Sequence, residues 1–403
     1  MPRPPRKAAF IFIFITMTLD MIALGIMIPV LPKLVVQFEG GDVAAAARIT
    51  GWFGFVWALM QFVFMPIIGG LSDRVGRRPI VLLSNLGLGL DYVLMALAPS
   101  LPWLFVGRVI SGITAASFST ASAYITDVTP ADQRAARFGM LGAAFGLGFV
   151  VGPALGGVLG AIDLRLPFWV AAGLSLVNAA YGFFVLPESL PQGLRRPFAW
   201  KSANPLGALR FLRGHVGLAG LAAATIAYNL AHESLPSVFV LYTDFRYHWS
   251  ERTVGLMLAG VGIGSGIVSV LLVGPAVKKL GERWAVIVGL LFGTLGFLVY
   301  GGATYGWMFA LGVPFTCLWD IAAPSMQSLM SQKVPAAEQG QLQGAIGAIR
   351  GLTGMVGPVL FTQLLAAGID PRVSSQLPGA PFLVAAALLV LSLVLAVRAI
   401  RAQ

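Results

Sequence analysis

The chain consists largely of long apolar segments in which charged residues are scarce. A helix of about 20 apolar residues is long enough to cross the hydrocarbon core of a bilayer, and a helix satisfies its own backbone hydrogen bonds there. The sequence therefore predicts an all-α polytopic membrane protein with twelve membrane helices. These predicted helices span residues 8–36, 49–71, 79–98, 102–125, 136–161, 166–187, 215–242, 252–277, 282–303, 305–331, 338–366 and 379–400.

The composition supports a membrane protein. Of 403 residues, 57% are hydrophobic and 11% are charged, whereas roughly 25% of residues are charged in soluble domains. The basic N-terminus followed by an apolar run is also typical of a secretory signal. We reject that interpretation, because the run from Ala8 to Val36 is too long, contains Asp20 and lacks a small-residue cleavage pattern.

The basic residues indicate how the chain is oriented. With the N-terminus inside the cell, nineteen Lys and Arg residues fall in inner segments and six in outer segments. Basic residues concentrate in the cytoplasmic loops of membrane proteins, so both termini are predicted to be cytoplasmic. This distribution accounts for the formal net charge of +11 without a nucleic-acid partner.

The longest polar stretch, residues 188–214, divides the chain into residues 1–187 and 215–403. A displacement of 205 residues brings Gly152-Pro153 onto Gly357-Pro358 and Val75–Arg78 onto Leu280–Arg283. These matches indicate a duplication and predict two six-helix bundles joined by a cytoplasmic linker. Internal repeats of this kind are common in secondary transporters.

A glycine-rich basic string, Gly70-Leu-Ser-Asp-Arg-Val-Gly-Arg-Arg-Pro79, follows the second predicted helix. We expect a tight turn that requires Gly70 and Gly76, with charged pairs that hold the two halves of the protein together. A basic inner loop that only obeys topology is the alternative. The predicted gating residues are Gly70, Asp73, Arg74, Gly76, Arg77, Arg78 and Asp127.

The fifth predicted helix is rich in small residues, which let two helices approach closely, and its proline allows a bend. Ordinary glycine-mediated packing is the alternative to a functional motif. The residues concerned are Gly148, Gly152, Pro153, Gly156 and Gly157.

These strings resemble known motifs. The loop string is similar to the loop motif of the major facilitator superfamily, and the fifth-helix string is similar to the motif of its antiporters. Arg108, in Gly107–Gly112, resembles another motif of that superfamily. Closer likeness, to the drug/proton antiporters that include the tetracycline exporters, comes from the strings 18–20, 28–32, 90–92, 123–127 and 341–344.

The resemblance implies a proton-coupled exporter of a small organic compound in the cell inner membrane, a monomer embedded in lipid with no cofactor. It also matches Asp20 and Asp91 to acidic positions of the tetracycline exporters. In the ninth helix this chain has Phe292 where those exporters carry an acidic residue. We therefore expect weak or no tetracycline resistance.

Ionisable residues inside the apolar segments are functional candidates, because each costs about 2.5–3.5 kcal/mol to insert at mid-bilayer. Asp20 is the leading proton-coupling residue. The full proton-coupling set is Asp20, Glu233, Asp320, His232 and Arg108. The predicted substrate cavity comprises Asp91, Asn229, Tyr124, Tyr228, Trp319 and Arg350.

Several alternatives stay open. Asp20 and Arg108 are also consistent with a structural ion pair, and His232 and Glu233 with an interfacial position. Arg350 either balances Asp320 or attracts an anionic substrate. At the level of function, uptake or facilitated diffusion of a nutrient and a non-transporting receptor are the alternatives to export. The sequence contains no enzyme motif, metal-ligand cluster or ATPase domain.

Overall fold

A computed structural model describes residues 6–115, 118–130, 133–195, 212, 218–335, 338–372 and 376–401. Across these ranges the regular structure is helical, and ten stretches are long and apolar enough to cross a membrane. The all-α polytopic prediction is confirmed. The count of twelve membrane helices and the cytoplasmic position of the termini stay predictions.

The first half of the chain forms eight described α-helices. A turn at residues 28–30 separates the first two, so the first predicted membrane segment is a long helix followed by a short one. The helices are α1 (Arg6–Met27), α2 (Leu31–Phe38), α3 (Val43–Val75), α4 (Arg77–Leu97), α5 (Leu101–Ala115), α6 (Phe118–Val128), α7 (Arg134–Gly160) and α8 (Leu166–Val185).

The second half is more fragmented, with several membrane segments divided into shorter helices. The described helices are α9 (Leu218–His232), α10 (Ser234–Tyr247), α11 (Glu251–Ile267), α12 (Val273–Gly302), α13 (Gly306–Ala310), α14 (Gly312–Trp319), α15 (Ala322–Ser331), α16 (Gln339–Ile369) and α17 (Ala380–Arg401). A π-helical segment, Val268–Leu272, joins α11 to α12.

Two of these interruptions occur at a carboxylate. Glu233 separates α9 from α10, and Asp320 follows the last residue of α14. Helix breaks inside the membrane are tolerated where the backbone lines a cavity or is buried in protein. The seventh predicted segment is not among the ten spans.

One apolar stretch, Glu251–Gly302, is 52 residues long. At 1.5 Å per residue this is far longer than a bilayer is thick. Gly281 interrupts it with a left-handed φ of 77°, so the stretch corresponds to the predicted segments 252–277 and 282–303.

Close contacts divide the chain into two compact units, each containing most of one half and a short piece of the other. Unit 1 comprises Met1–Leu34, Val56–Asn204 and Ser250–Ala259, and unit 2 comprises Val35–Phe55, Pro205–Trp249 and Gly260–Gln403. In unit 1, α1 packs against α7 and α8, and α4 packs against α8. In unit 2, α17 packs against both α9 and α12. The domain boundaries at 187 and 214 stay a prediction.

The 205-residue displacement reappears in the backbone and in one side-chain contact. Gly76 and Gly281 both have a positive φ, 118° and 77°. Arg77 binds Asp127, and the residues 205 positions further, Glu282 and Gln332, are also hydrogen-bonded. The duplicated turn thus keeps its geometry in both halves while the chemistry of its side chains changes.

Candidate functional site

Asp20 is the buried carboxylate of α1, with 6% of its surface exposed. The side-chain amide of Asn178, on α8, donates one hydrogen bond to Asp20 Oδ1 at 2.8 Å and another to the carbonyl oxygen of Thr16 at 2.9 Å. The partner of Asp20 is therefore a neutral donor. Sequence reasoning missed Asn178, although a buried amide in the apolar helix Leu166–Val185 was a detectable signal.

Asp91 and Arg108 form a second charged group in unit 1. Both carboxylate oxygens of Asp91 are buried and accept no hydrogen bond from the described residues. Asp91 and Arg108 attract each other electrostatically, and the Arg108 guanidinium lies 5.3 Å from the ring centroid of Trp57. The alternative of an Asp20–Arg108 pair is therefore wrong, because Arg108 is associated with Asp91 and Asp20 with Asn178.

Tyr124 lies in the core of unit 1. Its ring packs with Phe10, Ile13 and Met17, and its hydroxyl donates to the carbonyl oxygen of Pro187 at 2.9 Å. These contacts give Tyr124 a structural role, so it is not proposed as part of the substrate cavity.

An aromatic cluster in unit 2 brings together three predicted residues. The ring centroids of Tyr228 and Trp319 are 4.8 Å apart, and those of His232 and Trp319 are 5.6 Å apart. Trp319 is fully buried, whereas His232 is exposed. The ring of Trp319 thus packs against two side chains on one face of α9, those of Tyr228 and His232.

Arg350 and Asn229 line a small cleft of about 30 Å³ beside this cluster, together with Tyr228 and Gln327. The Asn229 amide donates to the carbonyl oxygen of Thr225 at 2.8 Å. The cleft has room for little more than one water-sized group. Its lining places these four polar or aromatic side chains, from α9, α15 and α16, next to one another in unit 2.

The two carboxylates at the helix breaks have separate neighbours. Asp320 is hydrogen-bonded to Ser265 of α11, a partner that sequence reasoning missed. Glu233 packs against Gly357 of α16, where any larger residue would overlap it. The predicted proton-coupling residues are therefore distributed over both units rather than collected at one point.

Arg77 is the centre of the predicted gating loop. Its guanidinium contacts Asp73 at 2.5 Å and Asp127 at 3.2 Å, and its backbone N–H donates to Glu188 at 2.9 Å. Asp127 also accepts from Ser189 at 3.0 Å. The adjacent Arg78 donates to the carbonyl oxygen of Phe183.

One expectation for this loop is wrong. Gly70 is not part of the turn, because α3 continues to Val75 and the reversal needs only Gly76, with its φ of 118°. The contacts of Arg77 and Arg78 described above all lie within unit 1. Charged pairs of this loop that hold the two halves together stay a prediction.

Two ion pairs do connect the halves at residues predicted to be outside. Lys33 contacts Glu251 at 3.0 Å in unit 1, and Arg48 contacts Asp370 at 2.8 Å in unit 2. Hydrogen bonds from the backbone N–H of Arg372 and from Arg48 hold the pKa of Asp370 below its ordinary value of 3.8. Because the pKa is lowered, the ion pair is lost only as the pH falls through the pKa of Asp370 in the folded protein, which lies below 3.8. The pair therefore persists at neutral pH.

The glycines of α7 make close helix contacts. Gly152 faces Gly25 of α1, and a Cβ at position 152 would lie 2.5 Å from the Gly25 Cα. Gly148 and Gly156 contact α1 as well, and Gly157 contacts Gly255 of α11. These contacts agree with close helix approach through small residues.

Comparison with known proteins decides the family. A family model described as Major Facilitator Superfamily matches residues 12–358 and 238–402. The chain belongs to the Major Facilitator Superfamily. As a member of this superfamily it is a multi-pass membrane transporter, which confirms the resemblance carried by the loop and fifth-helix strings.

Within the superfamily, the chain is similar to tetracycline resistance proteins of Escherichia coli. The class C protein is 38% identical over 89% of this chain and 90% of that protein. The class B protein is 34% identical over 85% of each chain. The predicted likeness to this drug-efflux branch is confirmed.

Solved structures of transporters show the same Major Facilitator Superfamily fold. The human organic anion transporter MFSD10 has a TM-score of 0.71 and 22% identity, over 98% of this chain and 100% of that chain. The nucleoside transporter NupG has a TM-score of 0.76 and 13% identity, over 98% of both chains. At this level of identity the likeness concerns the fold alone.

Proposed function

We propose that this protein is a proton-coupled exporter that moves a small organic compound out across the cell inner membrane by alternating access. Its similarity to tetracycline resistance proteins supports export of a drug-like compound. The observation that carries the proposal is Asp20, a buried carboxylate in a membrane helix whose described hydrogen-bond partner is the neutral amide of Asn178.

A neutral partner suits a residue that gains and loses a proton in each cycle. The amide can donate both to an ionised carboxylate, where the hydrogen bond is stronger, and to the carbonyl oxygen of a protonated one. A cationic partner would instead hold the carboxylate in its charged form. Asp20 is therefore the main proton carrier, and Asp91 beside Arg108 keeps a structural and electrostatic role in unit 1.

Coupling requires that protonation change the preference between the inward-open and outward-open states, since a ligand shifts such an equilibrium only by its differential affinity. Glu233 and Asp320 contribute at the breaks in the seventh and tenth membrane segments, and His232 at the end of α9. The substrate lies against Asn229 and Arg350, and the buried rings of Tyr228 and Trp319 pack behind them. The transporter acts as a monomer in the lipid bilayer.

Everted membrane vesicles with an imposed pH gradient test this function. A growth screen against antibiotics and dyes, tetracycline included, first identifies a transported compound. Asp20→Asn is expected to abolish gradient-driven accumulation of that compound while leaving the protein folded, because the asparagine amide does not gain or lose a proton. Undiminished accumulation in this variant would remove Asp20 from the mechanism.

Asp42→Asn is the matched control. Asp42 is exposed and caps α3 by accepting the Ala45 N–H at 2.9 Å. Asparagine caps helices about as well as aspartate. This variant should therefore transport like the wild type, and an equal loss in both variants would indicate a general effect of Asp-to-Asn replacement.

A further inference from the structure

α16 carries an arginine within its membrane-spanning length. Arg350 lies eleven residues after Gln339, about 17 Å along the helix at 1.5 Å per residue. Its side chain is exposed to the cleft beside Tyr228. An arginine at such a depth costs several kcal/mol unless it has a partner, so the identity of that partner bears on function.

Two carboxylates of unit 2, Asp320 and Glu233, have other neighbours. Asp320 is hydrogen-bonded to Ser265. Glu233 packs at Gly357, seven residues beyond Arg350 and therefore about 10 Å further along α16. Within the described ranges, Arg350 has no carboxylate within ion-pair distance.

Apart from Asp320, the groups around Arg350 do not supply a negative charge. His232 lies within electrostatic range of the Arg350 guanidinium. Asp320 and Arg350 both lie within electrostatic range of the Tyr228 hydroxyl. The cleft is otherwise lined by the amides of Asn229 and Gln327 and by the thioether of Met326. It thus combines an arginine without a described carboxylate partner with neutral polar and apolar groups.

We infer that the transported compound is an organic anion, whose carboxylate or sulfonate binds the exposed guanidinium of Arg350 at the mouth of this cleft. This inference rests on the proposed function and names its substrate class. The guanidinium can bind a carboxylate through two parallel hydrogen bonds. A cleft of about 30 Å³ is too small to hold the compound, so the anionic group binds the exposed side of Arg350 and the rest of the compound lies outside the cleft.

Two xanthene dyes test the inference, since fluorescein and rhodamine 6G share a three-ring core and carry opposite charges. Fluorescence anisotropy with the purified full-length protein measures their binding. We expect the wild type to bind fluorescein more tightly than rhodamine 6G. Arg350→Gln should weaken fluorescein binding about tenfold or more, since a charged hydrogen bond is lost, and leave rhodamine 6G binding unchanged or stronger.

Arg350→Lys and Arg398→Gln are the matched variants. The lysine keeps the charge, so it should retain part of the fluorescein affinity even if the glutamine variant folds poorly. Arg398 is exposed in the last turn of α17, and its replacement should change neither dye. Absence of fluorescein binding to the wild type, or equal losses for both dyes in Arg350→Gln, would overturn the inference.

The same dyes separate this inference from the proposed function. Gradient-driven movement of rhodamine 6G without any binding of fluorescein would overturn the anionic substrate class and leave proton-coupled export in place. Binding of fluorescein that depends on Arg350, without gradient-driven movement of any compound, would support the substrate class and count against export.

Discussion

Asn178 donates both of its amide hydrogens to α1, one to a backbone carbonyl and one to Asp20. The first bond fixes the position of the amide, and the second orients the carboxylate. Buried polar groups with a partner contribute little net stability but are costly when the partner is removed. At the scale of single residues, the orientation of Asp20 therefore depends on a residue 158 positions away in the sequence.

Asn178→Leu should lower the free energy of unfolding by about 1–3 kcal/mol, because it leaves the buried Asp20 carboxylate without its donor. Gradient-driven efflux should fall with it, and the pH dependence of the remaining efflux should change. Thermal unfolding in detergent and vesicle transport at several pH values measure these effects.

Asn85 provides the matched control for this prediction. It is also buried, on α4, but its side-chain nitrogen makes no hydrogen bond to the described residues. Asn85→Leu should therefore be neutral or stabilising. Equal destabilisation by both leucines would show that the Asn178 hydrogen bonds are unimportant.

At the scale of elements, α7 has two kinds of glycine. Gly148, Gly152 and Gly156 press against the backbone of α1, whereas Gly146 has no heavy atom within 4 Å of the place where a Cβ would stand. The first kind allows two helices to touch, which matters in a bilayer because association there depends on close packing. The second kind has no such role.

Gly152→Ala should destabilise the protein by about 1–3 kcal/mol, because the added methyl overpacks the contact with α1. Gly146→Ala on the same helix should stabilise it by up to about 1 kcal/mol, since alanine favours helix more than glycine does. Melting temperatures of the two variants in the same detergent compare them directly. Destabilisation by Gly146→Ala with none from Gly152→Ala would contradict the assignment.

At the scale of the whole molecule, each half contributes the start of one helix to the unit that is formed mainly by the other half. The start of α3 belongs to unit 2 and packs on α16 near Pro358, and the start of α11 belongs to unit 1 and packs on α7 near Pro153. The prolines are 205 residues apart, so the arrangement repeats with the duplication. Alternating access requires contacts between such repeats to open and close.

A covalent link across one of these contacts should therefore stop transport. In the double variant Arg48→Cys/Asp370→Cys, a thiol-specific linker as long as the two lost side chains should block efflux, and cleavage of the linker should restore it. The single variants should transport normally after the same treatment. Full efflux in the linked double variant would contradict a moving contact between α3 and α16.

A second pair serves as control for the linker. The Arg165 guanidinium donates to the carbonyl oxygen of Ala98 at 2.9 Å, and both residues belong to the first half. Linking Arg165→Cys to Ala98→Cys should leave efflux unchanged, because these residues are expected to move together. Inhibition by both links would indicate a non-specific effect of the reagent.

The sequence by itself determined the all-helical membrane fold, the superfamily and the candidate ionisable residues. These follow from quantities summed along the chain, such as the length of an apolar segment or the cost of a charge within it, and from short contiguous motifs. The glycine strings also predicted close helix contacts correctly, since the effect of a missing side chain is local.

Only the tertiary structure decided which groups meet. Asp20 binds Asn178, Arg108 lies over Trp57 beside Asp91, and Arg77 of the gating loop binds Asp127. The sequence also did not predict the helix breaks at Glu233 and Asp320 or the extension of α3 past Gly70. Hydropathy along a chain carries no information on which face of a helix meets which neighbour, because that choice depends on packing between segments far apart in the sequence.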